Sequence, residues 1–314
     1  MKRIVPALGS VLLLAGCGSH GSSGPKPMTL SFSFVVAPGE ETTKCLVAKL
    51  DNDVDYDFSR IDSHMTPGSH HLILYRDATD LMPGSAAPVE GVGDCDMGAA
   101  RLFVYTTQDA DHFVEMPPGI AGKLKKHQLV ILEAHYVNAS TQPLQATAEV
   151  TISPATGTIT NHAGILFYLD TDFSIPPGSG VAGAPVYTHS TTCETPAGIN
   201  IFRLGSHTHK RGTDVQIFKA PMAVASTGGT MVYENTDWSK PQELDYPAEA
   251  PLTVGTGEAF RFACSWTNEK TTPIQFGESV EDEMCIMGAG YWPVVEGPYG
   301  LDGNVVCFNG TLYY

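Results

Sequence analysis

Turn-forming residues cut this chain into short pieces, and that punctuation leaves few choices of fold. Pro38-Gly39, Pro67-Gly68, Pro83-Gly84, Pro117-Pro118-Gly119, Pro176-Pro177-Gly178 and Gly228-Gly229 recur along its length. Proline presets φ and glycine enters conformations that other residues avoid, so each cluster reads as a turn. Between them lie runs that alternate or are rich in β-branched and aromatic residues: 29–36 (TLSFSFVV), 128–137 (QLVILEAHYV), 146–152 (ATAEVTI) and 214–218 (DVQIF). These read as strands, and no capped amphipathic helix stands beside them. Many short strands without helices predict an all-β chain. The stretch from Met28 to Tyr314 is long for one β core and suits two, so the expected architecture is two tandem antiparallel β-sandwiches, jelly-roll-like in form. The segment 153–163 (SPATGTITNHA) separates a strand-rich first half from the apolar run 164–169 (GILFYL), which places the two domains at 28–157 and 158–314.

The first 17 residues bear on compartment. Lys2 and Arg3 precede the apolar stretch Val11-Leu12-Leu13-Leu14-Ala15-Gly16, which is too short to span a bilayer as a helix and reads as a secretion signal. It ends in Leu14-Ala15-Gly16-Cys17, which looks like a bacterial lipobox. Cys17 is then the expected lipidation site and first mature residue; the alternative is a plain signal peptide with a chance cysteine. Residues 18–27 have the Ser/Gly/Pro composition of a flexible tether. The expectation is an exported protein, lipid-anchored to the cell envelope, touching membrane only through Cys17. Gly18 after Cys17 leans toward the outer membrane.

A formal net charge of −16, with scattered basic residues, works against nucleic-acid binding, which needs a clustered basic face. Beyond Cys17 stand six cysteines, Cys45, Cys95, Cys193, Cys264, Cys285 and Cys307. An even count in an exported chain favours three disulfides, but sequence order does not choose among the pairings.

Histidine carries the chemical signal. In a strand, residues two apart share a face, so His207 and His209 can present both imidazoles to one ion. Adjacent residues alternate faces, so His70 and His71 can share an ion only at a strand end or bulge, which the preceding Pro67-Gly68 favours. His135 sits in the strand-like run Glu133-Ala134-His135-Tyr136-Val137. Taken singly, each pair reads more readily as a surface or loop accident than as a metal site. Imidazole suits zinc, copper, iron or nickel, whereas a thioether such as Met284 favours reduced copper; taken alone, Met284 also suits core packing.

The order of these motifs resembles the copper type II, ascorbate-dependent monooxygenase family, which includes the peptidylglycine α-hydroxylating and dopamine β-monooxygenases. The resemblance rests on Ser69-His70-His71-Leu72-Ile73-Leu74-Tyr75, Pro118-Gly119 ahead of Leu132-Glu133-Ala134-His135-Tyr136, His207-Thr208-His209, and Gly277 followed by Asp282-Glu283-Met284-Cys285. It spans roughly 28–314. It implies two copper ions per chain: an electron-storing copper on His70, His71 and His135, and an oxygen-binding copper on His207, His209 and Met284, facing each other across an open cleft between the domains. The implied activity is hydroxylation of a C–H bond of a small or peptide-like organic substrate by dioxygen, with ascorbate or another external reductant. The resemblance also implies the pairings Cys45–Cys95, Cys193–Cys307 and Cys264–Cys285.

The likeness has gaps. Peptide-amidating members grip a terminal carboxylate with an arginine, an asparagine and a tyrosine at the positions of Gly205, Ile286 and Gly288 here, so a glycine-extended peptide is not expected as substrate. Glu133 stands where those members have glutamine. His64, His112, His127, His162 and His189 have no counterpart and read as ordinary structural or surface histidines. Two other readings remain open at this stage: a copper-buffering envelope lipoprotein without turnover, and a disulfide-stapled adhesion module.

Overall fold

The structure is a computed structural model that describes residues 24–82, 84–95 and 100–314; the leader, Cys17 and most of the tether lie outside the described residues. The described chain is nearly all strand, with a single 3-10 turn at Met222–Val224. Among the described residues no helix is long and apolar enough to cross a membrane.

Two sheets come from the first half. One has the order β1 (Met28–Val36), β10 (Leu144–Pro154), β3 (Tyr56–Met65), β8 (Ile120–Leu124), β11 (Asn161–His162), with β7 (Asp111–Glu115) also on β3. The other runs β5 (Gly91–Asp94), β2 (Glu41–Lys49), β9 (Leu129–Val137), β4 (Ser69–Asp77), β6 (Arg101–Thr107). Alternation decides the faces: in β10, Ala146, Ala148, Val150 and Ile152 point inward and their neighbours outward. These side chains meet Leu72, Leu74, Leu132 and Tyr136 of the second sheet in one apolar core. Central strand β9 is buried on both faces from Val130 to Tyr136, because its outer face is covered as well.

The second half repeats the plan with different strands. A seven-stranded sheet runs β18 (Leu244–Asp245), β15 (Ile199–His207), β22 (Cys285–Trp292), β12 (Gly164–Asp170), β23 (Asn304–Phe308), β24 (Thr311–Tyr313), with β19 (Leu252–Val254) on β15. Facing it is β14 (Tyr187–Glu194), β20 (Glu258–Trp266), β16 (Gly212–Pro221), β17 (Thr230–Asn235); a small pair joins β13 (Ser174–Ile175) to β21 (Ile274–Gln275). Leu166, Tyr168, Ile201, Leu204, Met287 and Tyr291 meet Val215, Ile217, Phe260, Phe262 and Trp266 between these sheets. The all-β sandwich expectation is thus what the chain adopts. Disulfides join Cys45 to Cys95, Cys193 to Cys307 and Cys264 to Cys285.

The outer face of the seven-stranded sheet turns toward the first half. Phe103 of β6 stacks on Phe167 of β12 with centroids 4.0 Å apart. Ile120, Phe202 and Trp292 form a small shared core. Arg76 of β4, buried, donates to the backbone oxygens of Leu301 and Asp302 and pairs with the Asp302 carboxylate. Beside these contacts a cavity of about 790 Å³ opens between the two halves.

Candidate metal centre

His70 and His71 open β4, and the bulge that adjacent ligands require is present. Ser69 pairs with Tyr136 and His71 with His135, so His70 is the extra residue in the ladder. Gly68, at φ 106°, supplies the left-handed turn that feeds it. The bulge rotates His70 toward the side that His71 and His135 already face. The three rings lie 5.0–5.3 Å apart between centroids.

His207 ends β15 and His209 follows two residues on, with ring centroids 5.1 Å apart. The turn that carries them is pinned from the segment that leads into β22. Glu283, fully buried, accepts from the backbone N–H of His209 at 3.0 Å and of Arg211 at 2.8 Å. Burial pushes its carboxyl up to about 7 despite those two donors. Met284 follows at once and lines the same cavity as His71, His135 and His207.

The two triads are not separated. His70 lies 5.7 Å from His207 and 5.3 Å from His209 between ring centroids. Candidate ligand atoms of His70, His71 and His135 fall within 4.8 Å of one another, and so do those of His70, His207 and His209. The two expected triads therefore meet through His70 in one continuous cluster, and the cavity between the halves opens alongside it. The cause lies in the contacts that draw the halves together at this edge. Gln108 of the first half accepts from His207 Nδ1 at 2.9 Å. Glu41 of β2 accepts from the backbone N–H of Val280 at 3.0 Å and from Ser279 Oγ at 3.2 Å.

Hydrogen-bond partners assign which nitrogen each ring keeps free. His71 Nε2 donates to Glu133 Oε1 at 3.3 Å, while Arg101 holds the other oxygen at 3.0 Å. His135 Nε2 donates to Glu41 Oε1 at 3.0 Å. In both rings Nδ1 is left for a ligand bond. Around His207 and His209 the pattern inverts: Nδ1 is engaged, by Gln108 and by the Asp282 carbonyl at 3.1 Å, and Nε2 is left. His209 Nε2 and His70 Nε2 are buried with no hydrogen-bond partner. Orphaned buried nitrogens are costly unless something binds them.

The protonation states agree. Burial, then the neighbouring imidazoles, pushes His70 down to about 2. Burial likewise lowers His207 and His209, and lowers His135 even though Glu41 opposes it. These are neutral rings with lone pairs at neutral pH, the form that ligates metal. Five convergent imidazoles and a thioether on the same wall make a donor set that suits copper in both oxidation states.

Among the described residues the remaining histidines pair with acids instead: His64 with Asp111, His112 with Glu243, His127 with Asp53, His162 with Asp57 and His189 with Asp170. Glu41, Gln108 and Glu283 were given no role by sequence reading. Glu283 at least sits in the Met284 motif; Gln108 acts across the contact between the halves, and Glu41 holds His135 from the neighbouring strand while also bonding the Ser279-Val280 segment of the second half.

Residues 161–302 match the family model described as copper type II ascorbate-dependent monooxygenase, C-terminal domain. That stretch holds His207, His209 and Met284, and the match supports this family. No curated protein sequence matches the chain. Among solved structures, the chain is similar to the major capsid protein P2 of bacteriophage PM2, with 10% identity over 85% of this chain and 98% of that one, at a TM-score of 0.34. Broad bean stain virus gives 10% identity, 96% and 100% coverage and 0.35; the infectious bursal disease virus VP2 subviral particle gives 12%, 88% and 74%, and 0.23. Scores this low carry no argument about function.

Proposed function

We propose that the chain is a copper-dependent monooxygenase that hydroxylates a C–H bond of an organic substrate with dioxygen and a one-electron reductant such as ascorbate. The observation that carries it is the cluster of five imidazoles with two buried, unpartnered nitrogens, two of the five rings lying within the stretch that matches the copper monooxygenase domain. His70, His71 and His135 would hold one copper and His207, His209 and Met284 the other. The two pairs of sheets are read as the two domains, and the leader with Cys17 supports export and lipid anchoring to the envelope.

Bound copper would supply one-electron transfer and dioxygen chemistry, through which one oxygen atom enters the C–H bond and the other leaves as water, with two electrons and two protons from the reductant. The chain's own part is orientation and exclusion of water. Glu133 and Glu41 fix the rings of His71 and His135, Gln108 and the Asp282 carbonyl fix those of His207 and His209, and Glu283 holds the turn between them. Met284 adds a soft donor that favours the reduced metal. The mostly apolar cavity beside the cluster gives the substrate a place from which water is displaced.

The test is oxygen uptake by copper-loaded protein with ascorbate across a panel of metabolites. Uptake that depends on a particular substrate and yields its alcohol is the expected result. Peroxide alone, whatever the substrate, would favour a copper-buffering role.

A further inference from the structure

The outer face of the seven-stranded sheet forms one wall of the cavity, and its rows can be read from the pairing register. Phe167, Gly288 and Gly205 lie side by side across β12, β22 and β15; the next row toward the metal ligands is Leu169, Ile286 and His207. Adjacent strands are about 4.8 Å apart, so the two glycines leave a bare step on the order of 10 Å across, beside the Phe167 ring.

Nothing in the fold requires glycine there. Neither residue has a positive φ. A Cβ on Gly288 would meet nothing within 4 Å, and one on Gly205 only Glu243 Cγ at 3.9 Å. Gly290, on the same strand and face, is different: its Cβ would lie 2.3 Å from Phe202 Cζ, so packing accounts for it. Glycine inside a strand weakens the strand, and two unforced ones paired on a cavity wall mark the close approach of something else.

The charges on the wall narrow what that is. Arg76 is matched by Asp302, Arg101 by Glu133, Arg203 by Glu243 and Asp245, and Lys123 by Asp55. Among the described residues, every Lys and Arg lining the cavity already has its carboxylate, so an anionic group would find no cation to meet it without breaking a pair.

We infer that the Gly205–Gly288 step seats an uncharged, flat, ring-bearing substrate, laid on the glycine backbone beside Phe167. A substituent reaching two residues along the strands, about 7 Å, arrives at His207. This rests on the monooxygenase reading for its chemistry but not for its binding geometry.

The experiment is a fluorescence titration of the purified, metal-free protein with a matched pair of probes: neutral N-phenyl-1-naphthylamine and its sulfonated analogue 1-anilinonaphthalene-8-sulfonate. The expected result is saturable binding of one neutral probe, with the sulfonated one weaker by about tenfold or more. Gly288→Leu and Gly205→Val, which place side chains on the step, should each weaken the neutral probe by about tenfold. Should Gly288→Leu fail to fold, Gly205→Val and Gly288→Ala carry the comparison. No binding of the neutral probe, equal binding of both probes, or unchanged binding by the filled variants overturns the inference. Copper uptake by a reconstituted portion of the same wild-type protein separates the two claims: copper binding without probe binding sinks the substrate class alone, and probe binding without copper binding sinks the enzyme reading alone.

Discussion

Glu283 shows how much of the site depends on one side chain that binds no substrate. Its carboxylate takes two backbone N–H groups, from His209 and Arg211, in a fully buried position. Glu283→Ala strands both donors, and the expected cost is about 2–5 kcal/mol of folding free energy. Glu283→Gln keeps an acceptor and should cost less. Denaturant unfolding of both variants checks this; an Ala variant as stable as wild type would mean the turn holds itself. The pairs His70-His71 and His207-x-His209 stood out in the sequence as candidate donors because residue type and spacing are local properties, whereas grouping them with His135 and Met284 into two ligand sets came from the resemblance. Glu283 was visible only as a neighbour of Met284, since its partners lie more than seventy residues away. Glu41 and Gln108 gave no signal at all, because nothing in their own surroundings distinguishes them from solvated polar residues.

At the scale of elements, the bulge at His70 and the staple at Cys285 do corresponding work for the two triads. The bulge follows from Pro67-Gly68 and was readable as a requirement before it was observed as a register shift. Cys264–Cys285 ties β20 to β22 one residue beyond Met284, and its pairing was implied by resemblance, not by spacing. Replacing both cysteines by serine frees a loop of 21 residues' separation. The loss expected from chain entropy is about 3 kcal/mol, with looser placement of Met284 beside His207. Thermal melts with copper titrations check stability and the placement of Met284 on the cavity wall; a lower melting temperature with unaltered copper affinity would show that the staple serves stability alone. Strands were legible in the alternating runs such as 29–36, 128–137, 146–152 and 214–218, whereas the pairing order, which brings β15, β22 and β12 together from distant parts of the chain, was not.

For the molecule as a whole, the question is what holds the two halves so that His70 stands in both triads. Arg76, nearly fully buried, pairs with Asp302 across them. Burial pushes the Asp302 carboxyl up, but Arg76 and Lys125 outweigh it and hold it below its ordinary value of 3.8. A carboxyl depressed in the folded state stabilises fully above its unfolded pKa and loses that contribution as pH falls through the folded one. Stability from this pair should therefore be constant at neutral pH and fade below about pH 4. Asp302→Asn should flatten that acid limb, as seen in melting temperatures at pH 3 and pH 6; an unchanged slope would place the acid sensitivity elsewhere. Two β cores were an expectation from chain length, and their closeness had no signal in the sequence, because the ion pairs between them join residues with no local pattern. The most direct test of the account is copper stoichiometry with X-ray absorption at the copper edge of the reduced protein. Two coppers per chain are expected, with a sulfur scatterer that disappears in Met284→Ile and with both sites weakened in His70→Ala. One copper or none, or two sites of which His70→Ala disturbs only one, would contradict the shared histidine cluster on which the reading stands.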